Sequence, residues 1–117
     1  MISLDHVQLA APAGCEKAAR FYFGGLLGLP ELEKQGETAG SGGAWFQLGM
    51  VELHVGVDKD FRPAKKAHVA LRVADLDGMA ERLQQAGYPV LWDTRLPGMR
   101  RFFTVDPWGN RMELLTR

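Results

Sequence analysis

The chain has a single cysteine, Cys15, so no internal disulfide can form, and a reducing compartment is the natural expectation. Neither charge sign is in excess. Lys and Arg number 14, Asp and Glu number 14, and no basic run occurs, which removes nucleic acid and anionic membrane surfaces as expected partners. No apolar stretch approaches the roughly 20 residues of a membrane span, and the N-terminus lacks a signal-peptide pattern. No phosphate-cradling loop is present either. Gly36–Gly43 is glycine-dense, but no Lys-Ser/Thr follows it and it joins no strand to a helix. What remains is a cytoplasmic protein of 117 residues, one domain's worth, 46% hydrophobic and 24% charged, small enough that dimerisation would help it.

Against that plain background, four short segments each carry one metal-type ligand. They are Asp5-His6-Val7-Gln8-Leu9, Val51-Glu52-Leu53-His54-Val55, Ala67-His68-Val69-Ala70-Leu71 and Arg111-Met112-Glu113-Leu114-Leu115. His6 and His68 are 62 positions apart, and Glu52 and Glu113 are 61 apart. Each segment alternates apolar and polar residues, the signature of a half-buried strand. His6, Glu52, His68 and Glu113 all fall on the face opposite the apolar residues.

Two helical patterns separate the strands. Glu16 to Leu27 carries a dense apolar stripe and ends at Gly24-Gly25 or Gly28, with Pro30 as a stop. Asp75 to Ala86 places Leu76, Met79, Ala80 and Leu83 at helical spacing, with Asp75 as N-cap and Gly87 and Pro89 beyond. Further strands are expected at Ala44–Leu48, Val90–Asp93 and Phe102–Val105, with Gly49-Met50 as a tight hairpin. Glu33–Gly43 reads as a surface loop and Phe61–Lys66 as a linker. The order strand, helix, strands therefore occurs twice, in modules of about 1–57 and 67–117 joined by about 58–66.

Two imidazoles and two carboxylates suit a divalent cation such as Ni, Zn, Co, Mn or Fe(II). Such a cation polarises a carbonyl or enediolate oxygen and lowers the pKa of bound water, and a nearby carboxylate, Glu52 or Glu113, can then shuttle a proton. Read singly, His6 or His68 is an ordinary structural or surface histidine; the shared strand phase of all four groups is what points to a site. His54 faces the same way as Glu52 and is either a further polar group acting on substrate or a surface histidine. Hairpin pairing sets Gln47 opposite Glu52 and Trp45 opposite His54, making Trp45 a cavity wall. Arg72 either holds an anionic group of the substrate or is a solvated strand end. Arg100-Arg101 reads as a solvated pair on a loop, Trp92 and Trp108 as packing residues, and Cys15 as incidental, although a helix start favours its thiolate.

These segments, together with Phe21-Tyr22-Phe23…Leu27-Gly28-Leu29 and the run Asp106-Pro107-Trp108-Gly109-Asn110-Arg111-Met112-Glu113-Leu114, resemble the vicinal oxygen chelate superfamily of glyoxalase I, bleomycin-resistance proteins, fosfomycin-resistance enzymes and extradiol dioxygenases. The resemblance implies an α+β fold of paired βαβββ modules forming an open, cupped sheet, and a homodimer. It also places His6, Glu52, His68 and Glu113 on the four metal positions of glyoxalase I. A glutathione-contacting Arg of that enzyme aligns with Ala10, and a contacting Asn aligns with Gly56. Both anchors are missing, which disfavours glutathione hemithioacetal as substrate.

The expected function is a metal-dependent lyase or isomerase of glyoxalase type acting on a small chelating molecule. Its rival is a metal-free protein that sequesters a drug or metabolite in the manner of bleomycin-resistance proteins. A third reading, an extradiol dioxygenase, is disfavoured because such enzymes are typically longer and Glu52 would crowd an oxygen-binding position.

Overall fold

The computed structural model describes residues 1–116, the Glu37 side chain excepted. The chain forms two compact units that meet in sequence between Arg62 and Pro63, inside the Phe61–Lys66 stretch. Each unit has the order strand, helix, strand, strand, strand. In each, the first strand lies beside the fourth, so the four-stranded sheets run first–fourth–third–second. No helix among the described residues is long and apolar enough to cross a membrane.

In the first unit, β1 (His6–Ala11) pairs in parallel with β4 (Val51–Val57), which pairs antiparallel with β3 (Ala44–Leu48) and, beyond it, the two-residue β2 (Glu31–Leu32). One sheet face is apolar: Ala11, Ala44, Phe46, Leu53 and Val55 are buried there, and Ala19, Tyr22, Phe23 and Leu26 of the helix are buried with them. Burying an apolar side chain stabilises the fold by about 1.5–3 kcal/mol. The helix is not uniform. Glu16–Ala19 (α1) is α-helical, but Arg20–Leu26 widens into a π-helix, and Leu27 N–H donates to the Tyr22 carbonyl five residues back. Gly24 and Gly25 carry no side chains to hold the tighter winding. The wider turn lets the adjacent Tyr22 and Phe23 both be buried. The expected loop at Glu33–Gly43 contains a 3₁₀ turn, Gly36–Gly40.

The second unit repeats the plan with β5 (Val69–Arg72), α2 (Leu76–Gln85), β6 (Leu91–Asp93), β7 (Arg100–Val105) and β8 (Arg111–Thr116). Here α2 contributes the buried Leu76, Met79, Ala80 and Leu83, on the period expected of an amphipathic helix. Asp75 caps it, its carboxylate accepting the Gly78 N–H at 3.0 Å. Phe102, Met112 and Leu114 are buried in the sheet. The Asp106–Asn110 turn that precedes β8 is closed by Asp106, whose Oδ1 accepts the N–H groups of Trp108 at 3.0 Å and Asn110 at 2.9 Å.

Two expectations need correction. His68 is not in a strand: β5 begins at Val69, and His68 is the last linker residue before it. Arg100 and Arg101 are not on a loop but open β7, because their pairing with Thr116 and Leu115 of β8 extends the strand two residues earlier than its apolar pattern does.

Candidate functional site

Within the first unit, parallel pairing sets His6 directly opposite Glu52, and antiparallel pairing sets Glu52 opposite Gln47 and His54 opposite Trp45. The side chains use that register in a particular way. His54 is flanked by two rings: Trp45 stacks on it at 4.1 Å and 4°, and His6 at 4.3 Å and 17°. His54 Nε2 lies 2.9 Å from Glu52 Oε1, so the carboxylate is tied to its neighbour two residues on rather than to His6. The His6 ring has Asp5 Oδ1 at 2.8 Å from Nδ1. The Gln47 amide nitrogen donates to the Gly49 and Val51 carbonyls at 2.8 and 3.1 Å, and so closes the hairpin. Gly56 leaves room for the Gln8 amide, which would lie 2.6 Å from a Cβ there.

Within the second unit the register differs by one full side-chain period. Glu113 stands opposite Ala70, and His68 reaches diagonally to bring its Nε2 to 2.9 Å from Glu113 Oε1. Lys66 fixes the ring, its carbonyl lying 2.9 Å from Nδ1. A carbonyl can only accept, so Nδ1 carries a proton and the nitrogen facing the carboxylate is Nε2. The other carboxylate oxygen, Oε2, accepts from Arg101 Nη1 at 3.2 Å, and Arg101 Nη2 donates to Asp93 Oδ2 at 2.7 Å. Arg95 also donates to Asp93, and its hydrogen bonds, followed by those of Arg101, hold the Asp93 carboxyl well below the usual carboxylate range. Phe103 lies edge-on to His68 with ring centres 5.7 Å apart. Arg72 is exposed at the end of β5.

The two glutamates are thus held differently. The Glu113 side chain is 7% exposed with both oxygens engaged, whereas that of Glu52 is 37% exposed with one partner. Arg101, read from the sequence as solvated, is 12% exposed and lies between two carboxylates. Its alternation with Phe103 and Val105, on the strand facing Glu113, was the available signal. Cys15 is buried, and burial, reinforced by Glu16, raises its thiol pKa, which removes the thiolate that a helix start would otherwise favour.

The donor chemistry fits a divalent cation. An imidazole whose Nδ1–H is tied to a carbonyl presents Nε2, the usual outer support of a metal-binding histidine. An unprotonated Nε2 and a carboxylate oxygen are both lone-pair groups, so close approach needs a proton or a cation between them. Among the described residues of either unit, no three His, Cys, Asp or Glu side chains are gathered into a metal-holding group.

A profile of the glyoxalase/bleomycin resistance protein/dioxygenase superfamily matches residues 3–114, and the chain belongs to that superfamily. A Bacillus anthracis protein assigned to the glyoxalase family is 41% identical, with a TM-score of 0.94 over 100% of this chain and 96% of that one. Lactoylglutathione lyase from Agrobacterium tumefaciens shares the fold at 17% identity and TM-score 0.76, over 97% of this chain and 92% of its own. A variant of the Listeria monocytogenes fosfomycin resistance protein FosX, complexed with Mn(II) and a dihydroxypropylphosphonic acid, does so at 17% identity and TM-score 0.81, over 99% and 93%. No curated protein sequence matches the chain.

Proposed function

We propose that this protein is a divalent-metal-dependent lyase or isomerase of glyoxalase type, acting as a cytoplasmic homodimer on a small oxygenated molecule able to chelate the cation. The observation that supports it best is the His68 ring, tied through Nδ1 to a backbone carbonyl and facing Glu113 through Nε2. His6, Glu52, His68 and Glu113 are the residues that would hold the cation. A bound cation supplies Lewis-acid polarisation of a substrate carbonyl or enediolate oxygen.

Glu52 is the better base of the two glutamates. Arg101 occupies the second oxygen of Glu113 and keeps that side chain still, while Glu52 is more exposed and can swing away from His54 to take and return a proton. His54 orients Glu52, Trp45 supplies an apolar wall, and Arg72 is a solvated strand end. Gln47 is left to hold the hairpin. Glutathione hemithioacetal is not the substrate on this reading, because Ala10 and Gly56 provide no anchors and the Gln8 amide lies over Gly56.

The test is metal uptake by untagged protein, dialysed and then offered Ni, Zn, Co, Mn and Fe(II) separately, with content measured by mass spectrometry. One cation per chain is expected. A protein that retains none of the five overturns the reading, and the metal-free binding protein then takes its place.

A further inference from the structure

The second unit holds its arginines in two different ways. Arg95, Arg100 and Arg101 are each neutralised: Arg95 by Asp93 at 2.8 Å, Arg100 by Asp77 at 2.9 Å, and Arg101 by Asp93 at 2.7 Å and Glu113 at 3.2 Å. Arg111 has no carboxylate within ion-pair distance among the described residues. Its guanidinium carbon lies instead 4.1 Å from the ring centre of Phe103, the residue that stands opposite Glu113 across β7 and β8 and lies edge-on to His68. Arg111 and Glu113 are two residues apart on β8, so both project from the same face of the sheet.

Stacking on an aromatic ring occupies the face of a guanidinium and leaves its edge free. That edge carries the forked N–H donors that match an oxyanion in a bidentate contact. The backbone beneath is fixed as well, since Arg111 N–H donates to the Ala64 carbonyl at 2.8 Å. Arg111 is therefore a half-buried cation, held in place and without an anion among the described residues, one phenyl ring away from the His68–Glu113 pair. Arg72 shares the charge but is exposed, and among the described residues no side chain holds it, so ordering it on a ligand costs more side-chain entropy.

We propose that Arg111 is the anchor for an oxyanion group of the substrate, which is accordingly a small acid bearing a carboxylate or a phosphoryl-type group in addition to its chelating oxygens. This deepens the metal-dependent reading and rests on it for the identity of the site, but the anchor itself needs no metal. The experiment is therefore run on chelator-treated protein, titrated with malonate and separately with inorganic phosphate, while the Arg111 Nε–Hε resonance is followed by NMR. A saturable shift of that resonance is expected for at least one probe, and which probe gives it separates carboxylate from phosphoryl chemistry. Arg111→Met should weaken binding roughly tenfold or more, as loss of a charge-assisted fork implies, and Arg111→Lys should recover only part. Arg72→Met should leave affinity within about twofold, as expected of a solvated charge.

A resonance that stays put in the wild-type chain under saturating malonate and phosphate overturns the proposal without recourse to any variant. So does binding lost in Arg72→Met but kept in Arg111→Met. Metal uptake is measured on the same preparations. Failure to bind a cation sinks the functional reading alone, whereas intact metal binding with a silent Arg111 sinks only the anchor.

Discussion

His68 Nε2 and Glu113 Oε1 lie 2.9 Å apart, and each is held from behind, the imidazole by the Lys66 carbonyl and the carboxylate by the Arg101 guanidinium. Both groups are thus aimed before any ligand arrives. On the proposed function, little ordering of these two groups is left for a cation to impose.

The glutamates should separate by function. Glu113→Gln is expected to lower cation affinity by about 100-fold or more, beyond the loss typical of an outer support. Glu52→Gln is expected to weaken cation binding less than Glu113→Gln does, yet to lose turnover by about 100-fold or more, the scale of a missing general base. Competition with a chelating dye and steady-state rates on metal-loaded protein distinguish the two. His68→Ala should lose metal and turnover together.

Arg101→Met should destabilise the fold. Among the described residues it strips the only cation from Glu113 Oε2 and one of two from Asp93, in a location where side-chain exposure is 12% or less. A loss of roughly 3 kcal/mol is expected from urea unfolding, the scale for orphaning a buried charge. Arg101→Lys should recover only part, because an ammonium cannot span both carboxylates as the planar fork does.

Asp93 and Asp106 should bend the pH dependence of stability in opposite directions. Arg95 and Arg101 lower the Asp93 pKa in the folded chain, so its contribution is complete above the ordinary aspartate value of about 3.9 and fades as the pH falls below it. Burial raises the Asp106 pKa despite the hydrogen bonds from Asn110, Trp108 and Gly109. Its contribution is complete below the ordinary value and fades as the pH rises through the raised one. Asp93→Asn should therefore flatten the acid side of a plot of urea midpoint against pH. Asp106→Asn should flatten the side above.

Gly43→Ala should cost about 2–4 kcal/mol, read as a fall in thermal midpoint. Gly43 has φ of 83°, and an added Cβ would meet the Val55 carbonyl oxygen at 2.1 Å, a backbone atom that cannot step aside. The substitution also disturbs the Glu16 carboxylate, which accepts the Gly43 N–H at 2.6 Å and is held below its usual range chiefly by that bond.

Most of the strand framework was legible because alternation with period two is a local property. Val51–Val57 and Ala44–Leu48 have the expected limits, and the Gly49-Met50 turn sets Gln47 against Glu52 and Trp45 against His54 as the hairpin requires. Long-range register was not legible. Nothing local says that Glu113 stands opposite Ala70 and takes His68 on the diagonal, or that β7 reaches back to Arg101 and buries its charge. The π-helical winding after Ala19 escaped for a related reason. A helix from Glu16 to Leu27 ending at Gly24-Gly25 or Gly28 was expected, and it runs on through Gly24-Gly25 to Leu26; only its wider winding was hidden. Residue types in the candidate site were visible; which neighbour holds each one was not.

Placing the first strand of each unit alongside the last has a kinetic corollary. His6 becomes adjacent to Glu52, and His68 to Glu113, only after the whole intervening segment has been threaded between them. Such late-closing seams are slow to form, each waiting on the last strand of its own unit, so on the proposed function metal capture during refolding should lag behind the recovery of helix.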